Sequence, residues 1–246
     1  MNVFFYLVLH YTAANCKSSL NQLTNPNAQV SAHYLVPETP IEEENKIFQL
    51  VDESKRAWHA GVSTWQKRSG LNDSSIGIEI VNLGYKDESG QRQYYPFPDY
   101  QIDCVIALAK PIVEHYQLHP TCIVAHGDIA PGRKVDPGPL FPWKKLYEAG
   151  IGAWYDEHAL DLKAHQTLDI ALLQKNLRTY GYPIELTGKL DMQTKNVVCA
   201  FQMHFRPSNY SGEPDAETLA ILENLLHKYF PEVKNSSVTN TATAST

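Results

Sequence analysis

Two histidines and an aspartate lie where a metal site can form. His10 ends an apolar run near the amino terminus, His126 ends a second apolar run, and Asp136 follows in a loop rich in proline and glycine. Two imidazoles and a carboxylate are a zinc ligand set, and three protein ligands leave the fourth tetrahedral position for water. The trio therefore predicts one catalytic zinc ion and a hydrolytic reaction.

The two apolar runs predict buried strands that end at the histidines. Side chains on a strand point alternately to opposite faces, and the run from Val3 to His10 is apolar on both faces, as expected of a central strand. The run from Cys122 to His126 has the same character. Ligand sites collect at strand ends in open α/β sheets, so the two histidines are expected to meet. Either histidine alone is also compatible with a structural, hydrogen-bonded role.

A third predicted strand, 76–81, contains an acidic residue. Its alternation gives one face of isoleucines and a second face formed by Gly77, Glu79 and Val81. A buried carboxylate is costly unless it is paired, protonated or close to a cation. The predicted zinc site would supply the cation, and a buried ion pair is the alternative explanation.

A series of short motifs follows in order along the chain: Leu-His-Tyr-Thr-Ala (9–13), Ser-Ala-His-Tyr-Leu-Val-Pro (31–37), Trp-His-Ala-Gly (58–61), Leu-Asn-Asp-Ser-Ser-Ile-Gly-Ile-Glu (71–79), Val-Ala-His-Gly-Asp-Ile-Ala-Pro-Gly-Arg-Lys-Val-Asp-Pro-Gly-Pro (124–139) and Ala-Phe-Gln-Met-His-Phe-Arg-Pro (200–207). From about residue 5 to residue 230 the chain resembles the zinc-dependent N-acetylmuramoyl-L-alanine amidases, which share a fold with peptidoglycan recognition proteins. The resemblance implies hydrolysis of the amide between N-acetylmuramic acid, or its anhydro form, and L-alanine in peptidoglycan, for cell-wall turnover or remodelling.

The resemblance also implies roles for five residues. His10, His126 and Asp136 fall on the zinc-ligand positions of the family, and Glu79 and Lys134 fall on its catalytic positions. Glu79 could take a proton from the attacking water and deliver it to the departing amine. Lys134 lies two residues before Asp136, so an extended segment would point both side chains the same way and bring an ammonium to the developing oxyanion. Outside this motif, Lys134 would be interpreted as a solvated surface lysine.

Other residues in the motifs have two interpretations. His33 and His59 are expected to support the metal ligands or line the substrate groove, with a purely structural role as the alternative. Asn72 and Asp73 are expected to position the loop before the Glu79 strand. Three aromatic residues fit either a substrate groove or the hydrophobic core: Trp58, Trp65 and Tyr34.

The amino-terminal part, 1–150, is expected to be the catalytic domain, with an α/β fold in which helices flank a mixed central sheet. An amphipathic helix is predicted over 99–117, with a bend or local break at Pro111. The stretch 130–143 is dense in proline and glycine, which indicates a rigid irregular loop that presents Lys134 and Asp136.

The carboxy-terminal part is expected to be a small three-helix domain over 168–232, after a linker over 151–167. The first helix should end at Gly181, the second begin after Asp191, and the third begin near Asp215. The segment resembles the peptidoglycan-binding domain, which implies an anchor on the wall; a helical cap on the catalytic domain is the alternative. A polar tail over 233–246 is expected to be disordered.

Composition mainly excludes classes of partner. A net charge of −6 without a basic stripe argues against nucleic acid and anionic membrane surfaces. The four cysteines form no Cys-x-x-Cys pair, and no disulfide pairing can be deduced from their positions. No apolar run approaches the ~20 residues that span a bilayer. Peptidoglycan and muropeptides are the expected partners, and a monomer is the expected state.

The amino terminus resembles a lipoprotein signal that ends at Cys16, but it has no positive charge and cleavage there would remove His10. It is therefore interpreted as the first core strand, with any export sequence or lipid anchor lying upstream of this chain. The protein is expected to act in the periplasm or at the outer membrane. The alternative is an amidase that recycles cell-wall fragments in the cytoplasm. The alternative function is a catalytically silent peptidoglycan sensor, which the complete set of metal and catalytic residues disfavours.

Overall fold

The computed structural model describes residues 4–41, 47–163 and 167–231. The tail predicted over 233–246 therefore lies outside the described residues. The strands of the described part, numbered β1 to β9 in chain order, are Tyr6–Tyr11, Tyr34–Val36, Phe48–Gln49, Thr64–Trp65, Arg68–Ser69, Ser75–Ile80, Tyr85–Glu88, Gln91–Tyr94 and Ile123–Ala125. The α-helices, numbered α1 to α7, are Cys16–Thr24, Asp99–Tyr116, His126–Ile129, Trp143–Glu148, Ile170–Tyr180, Met192–Phe205 and Ala216–Tyr229.

A mixed sheet of five strands forms the centre of the larger domain, in the order β3-β2-β6-β1-β9. Strand β1 pairs in parallel with both β6 and β9, β2 pairs in parallel with β6, and β3 pairs antiparallel to β2. The expected mixed sheet is confirmed. Because β1 and β9 run in the same direction, the histidines at their carboxyl ends meet at one edge of the sheet.

The alternation in β6 has the predicted consequence. Ile76, Ile78 and Ile80 are fully buried, and Glu79 projects from the opposite face. The parallel register places Glu79 directly beside His10 on β1. The prediction of burial holds for Phe4 and for the residues from Tyr6 to His10, but Phe5 is 45% exposed and its ring lies beneath the guanidinium of Arg68.

Helix α2 packs its apolar stripe on the core, with Ile102, Val105, Ala109 and Ile112 buried. It continues through Pro111 to Tyr116, so the expected local break does not occur. The segment between α3 and α4 is irregular, as its proline and glycine content predicts, and it carries Lys134 and Asp136.

Helices α5, α6 and α7 form the carboxy-terminal domain and begin at aspartate caps. The side chains of Asp169, Asp191 and Asp215 each accept a hydrogen bond from a backbone N–H in the first turn of their helix, and this satisfies a donor that has no partner within the helix. Helix α5 ends at Tyr180, and Gly181 follows with a φ of 145°. The predicted starts and stop of these helices are confirmed.

The two domains share one hydrophobic core. The buried cluster extends from the central sheet to the inner faces of α5, α6 and α7. Trp65 packs edge-to-face on Tyr182, with 4.8 Å between ring centroids. In the segment predicted as a linker, Trp154 is buried and its backbone N–H donates to the hydroxyl of Tyr229; residues 164–166 of that segment lie outside the described residues.

All four cysteines are free thiols. None of the described helices has the length and apolar character that a bilayer crossing requires.

Candidate metal centre and active site

His10, His126 and Asp136 converge at the carboxyl edge of the sheet. His10 lies near the end of β1, His126 opens α3 immediately after β9, and Asp136 comes from the irregular loop that follows. The Nδ1 atoms of the two imidazoles are 2.9 Å apart, and Oδ2 of Asp136 lies 3.2 Å from His10 Nδ1 and 3.0 Å from His126 Nδ1. All three residues are buried, and their ligand atoms form the group able to hold a metal ion in the described residues.

Hydrogen bonds behind His10 fix its tautomer. The hydroxyl of Ser75 donates to the carbonyl oxygen of Leu71, so it accepts from Nε2–H of His59. With its proton on Nε2, His59 presents Nδ1 as an acceptor, and His10 Nε2–H donates to it over 2.9 Å. His10 Nδ1 is therefore left with a free lone pair directed at His126 and Asp136.

His126 reaches the same state by a different route. Its Nε2 lies 3.2 Å from the carbonyl oxygen of Ala60, which can only accept, and 3.4 Å from the guanidinium of Arg133, which can only donate. The shorter contact favours the tautomer with the ring proton on Nε2, which leaves a free lone pair on Nδ1. With these tautomers, His10 Nδ1, His126 Nδ1 and Asp136 Oδ2 meet without a proton between them. Tetrahedral zinc with bonds of ~2.0–2.1 Å requires ligand atoms about 3.3 Å apart. The observed spacings and the donor set fit such an ion.

The charge states of the ligands suit metal binding. Burial and repulsion from His126 lower the pKa of His10 to about 4, so this imidazole is neutral at neutral pH. Burial alone would raise the pKa of Asp136, but the contacts of its carboxylate with the imidazoles of His126 and His10 outweigh burial and hold this pKa below its ordinary range. A neutral imidazole and an ionised carboxylate are the forms that bind metal ions.

Glu79 lies beside the metal group, which consists of His10, His126 and Asp136, and one oxygen of its carboxylate has no hydrogen-bond partner among the described residues. That oxygen, Oε2, is buried. Burial raises the pKa of Glu79 well above its ordinary value, repulsion from Asp136 raises it further, and Lys134 opposes both. A buried, unpaired carboxylate is stabilised by a nearby cation, which agrees with a metal at this site. Such a group is also suited to exchange a proton with a substrate.

All five predicted site residues line one pocket of about 220 Å³, formed around His10, Glu79, His126, Lys134 and Asp136. Lys134 and Asp136 both face it, as the extended-segment argument expected. The pocket also contains Trp58, which is 51% exposed and lies beneath the guanidinium of Arg56. This aromatic surface is available to substrate.

The contacts of His59 and His33 show which of the two interpretations applies to each. His59 contacts His10 and supports the metal group, whereas His33 accepts from the backbone N–H of Gly77 and lies by the carbonyl of Lys55, which is a structural role. Asn72 accepts from the backbone N–H groups of residues 59 and 60 and so holds this loop, as expected. Asp73 is bonded to Arg56 at the surface.

Two aromatic residues do not line the pocket. Trp65 is 1% exposed and donates to the carbonyl of Thr121, so it belongs to the core. The hydroxyl of Tyr34 donates to Glu53. The groove interpretation is therefore wrong for these two residues, whereas Trp58 lines the pocket and its contact with substrate stays a prediction.

Sequence reasoning gave no role to two residues that support the site. Gly77 lies against the ring of His59, and a Cβ atom at this position would fall 2.5 Å from His59 Cγ. Asp128, two residues after the ligand His126, is buried and forms hydrogen bonds with Tyr182 and His204 of the carboxy-terminal domain. Both residues lie within the motifs quoted above, but their contacts depend on tertiary structure.

Comparisons with known proteins identify the families to which the two parts of the chain are similar. Residues 2–139 match the N-acetylmuramoyl-L-alanine amidase family, and residues 166–222 match the peptidoglycan binding domain family. The chain is 48% identical to N-acetylmuramoyl-L-alanine amidase AmiD of Escherichia coli, over 91% of this chain and 82% of that protein. It is 35% identical to the 1,6-anhydro-N-acetylmuramyl-L-alanine amidase AmpD of Enterobacter cloacae, over 49% of this chain and 59% of that protein.

Solved structures extend the similarity to both domains. A complex of E. coli AmiD with the substrate anhydro-N-acetylmuramic acid-L-Ala-D-gamma-Glu-L-Lys is similar with a TM-score of 0.85 and 46% identity, covering 92% of this chain and 90% of that one. AmpDh3 from Pseudomonas aeruginosa is similar with a TM-score of 0.83 and 44% identity, covering 92% of each chain. With its catalytic domain matched by the family model and most of its length matched by these relatives, this chain belongs to the N-acetylmuramoyl-L-alanine amidase family.

Proposed function

We propose that this protein is a zinc-dependent amidase that hydrolyses the bond between the lactyl group of N-acetylmuramic acid and L-alanine in peptidoglycan. The observation that carries the proposal is the meeting of three metal-binding atoms beside Glu79, whose Oε2 is buried without a hydrogen-bond partner among the described residues. Membership of the amidase family supports the choice of bond.

Each site residue then has a distinct task. His10, His126 and Asp136 would hold zinc, which when bound supplies a Lewis acid and lowers the pKa of water to about 7. Glu79 accepts a proton from the attacking water and returns it to the amine nitrogen of L-alanine as the bond breaks. The Lys134 ammonium lies across the same pocket and stabilises the negative charge that grows on the carbonyl oxygen.

The substrate is proposed to be a muropeptide with either anhydro or ordinary muramic acid. The E. coli AmiD complex holds an anhydro-N-acetylmuramic acid peptide as the substrate of that relative, which supports the anhydro form. The match to the peptidoglycan binding domain family supports use of the polymer as well as of small fragments. Exposed Trp58 beside the metal group offers a ring on which a sugar or peptide can pack.

The direct test is mass spectrometry of purified sacculi and of anhydro-muropeptides after incubation with zinc-loaded and chelator-stripped protein. Stem peptides with a free L-alanine amine should appear only with the zinc-loaded protein, and readdition of zinc should restore them. Retained binding to sacculi without released peptide would contradict the amidase and favour the silent sensor.

We further propose that the protein acts as a monomer in the cell envelope. All five site residues come from one chain, so no partner copy is needed to complete the pocket. A domain that binds assembled peptidoglycan would act where the wall lies. Cell fractionation tests the location, and size-exclusion chromatography with light scattering tests the state. Recovery in the cytoplasm or as an oligomer would contradict the respective part.

A further inference from the structure

Asp128 joins the two domains through a buried carboxylate. The residue is 1% exposed. Its Oδ1 accepts from the hydroxyl of Tyr182 at 2.7 Å, and its Oδ2 lies 2.7 Å from Nδ1 of His204 and accepts from the backbone N–H of Ala125 at 2.8 Å. Two of these three partners belong to the carboxy-terminal domain. A carboxylate this deeply buried depends on such donors, because without them its desolvation is not compensated.

The same carboxylate belongs to the short helix that carries a metal ligand. Asp128 is the third residue of α3, and His126 is the first. The hydrogen bond from Ala125 N–H to Asp128 links the last residue of β9 to α3, and His126 is the residue directly after Ala125. In the next residue, the N–H of Gly127 donates to the carbonyl oxygen of Asp136 at 2.9 Å. Helix α3 therefore connects both ligands to Asp128.

A helix of one turn cannot hold this geometry by itself. Isolated short helices are unstable in water because nucleation is unfavourable, so α3 depends on tertiary contacts. The carboxy-terminal domain supplies them on one side. The ring of His204 stacks on Trp143 with 3.8 Å between centroids, and Tyr182 packs on Trp65. Both donors to Asp128 are thus fixed in place by aromatic side chains of the catalytic domain.

We propose that the carboxy-terminal domain is an integral part of the metal centre, and that Asp128, held by Tyr182 and His204, is a positioning residue for His126 and Asp136. This inference rests on the proposed metal site and extends it, because a wall-binding anchor requires no bond to the helix that carries a ligand. The domain then has two separable roles: its outer surface engages peptidoglycan, and its inner face sets the ligand geometry.

The test uses the whole 246-residue chain with two single substitutions, one that removes a donor to Asp128 and one that weakens Asp128 as an acceptor. Tyr182→Phe and Asp128→Asn change few atoms, and Tyr180→Phe is the matched control. Tyr180 lies in the same domain and is equally buried, but its hydroxyl is not one of the three described donors to Asp128. Zinc affinity is measured by competition with a chromophoric chelator, and ligand geometry by the visible absorption of the cobalt-substituted protein.

Tyr182→Phe and Asp128→Asn should each weaken zinc binding by about tenfold, the lower end of the range for groups that orient metal ligands, and alter the cobalt spectrum. Sacculus binding should be unchanged, and the control should retain wild-type affinity. Equal zinc affinities and cobalt spectra in Tyr182→Phe, Asp128→Asn and the control would overturn this inference alone. Failure of the wild type to bind zinc would overturn the proposed metal centre and this inference with it.

Discussion

His10 Nε2 lies 2.9 Å from Nδ1 of His59, and this contact determines which nitrogen of His10 faces the metal group. The Ser75 hydroxyl in turn orients His59: it donates to the carbonyl of Leu71 and therefore accepts from Nε2–H of His59. The histidine of the Trp-His-Ala-Gly motif thereby acts on the site without facing its ligand atoms.

Replacing His59 with leucine should weaken zinc binding by roughly 10- to 100-fold, because His10 loses the acceptor that fixes its tautomer. His59→Asn should lose less, since its side-chain oxygen can accept in place of Nδ1. Isothermal titration calorimetry with zinc measures both. His33→Asn is the control: it removes a buried histidine bonded to backbone groups of residues 55 and 77, and should lower stability without changing zinc affinity. Wild-type affinity in His59→Leu would refute the role of His59.

Replacing Glu79 with glutamine should reduce turnover by about 10²- to 10⁴-fold, the usual contribution of a general acid–base group. The amide keeps the shape of the side chain but cannot carry the proton. Zinc affinity and sacculus binding should be retained, because Glu79 is not one of the three grouped ligands. Turnover is measured with a soluble anhydro-muropeptide. Near-normal turnover in Glu79→Gln would rule out the proposed base.

Replacing Lys134 with methionine should lower kcat by about 10²- to 10³-fold, as for the loss of one oxyanion donor. It should also move the acid limb of the kcat/KM profile. Lys134 lowers the pKa of Glu79, so its removal raises that pKa. Because Glu79 must be ionised to accept a proton, its active form is then lost at a higher pH as the solution is acidified. Lys134→Arg keeps the charge and should leave the limb in place; an unshifted limb in Lys134→Met would contradict the assignment.

Replacing Gly77 with alanine should lower the free energy of unfolding by about 1–3 kcal/mol, the usual cost of overpacking a core. The added Cβ would fall 2.5 Å from the ring of His59, which must move. Zinc affinity should fall as well, since His59 orients His10. Gly127→Ala is a matched control, because its Cβ would lie at an ordinary 3.5 Å from the nearest atom. Urea unfolding measures the difference, and equal stabilities of the two variants would contradict the clash.

Local patterns predicted much of this molecule because they are set by neighbouring residues. Alternation in β6 located Glu79 on a buried strand, and the aspartates at 191 and 215 cap helices as such residues do in isolation. The same local reasoning overestimated Pro111, since α2 continues through it. A residue's local preference gives way when the helix is packed along its length.

Contacts between distant parts of the chain could not be predicted in this way. The bonds from Asp128 to Tyr182 and His204 join residues 54 and 76 positions apart. Trp65 and Trp58 are both tryptophans near one motif, yet one is 1% and the other 51% exposed. Trp65 packs on Tyr182 of the carboxy-terminal domain and donates to the carbonyl of Thr121, and these distant contacts account for its burial.

The shared core has a consequence for how such enzymes can be recombined. A catalytic domain moved to another partner would bring Asp128, Trp65 and Trp143 without the aromatic residues and donors that cover them here. Chimaeras joined within the connecting segment should therefore fold well only when Tyr182 and His204 come from the same parent as Asp128. In this lineage the two domains are expected to be inherited as a pair.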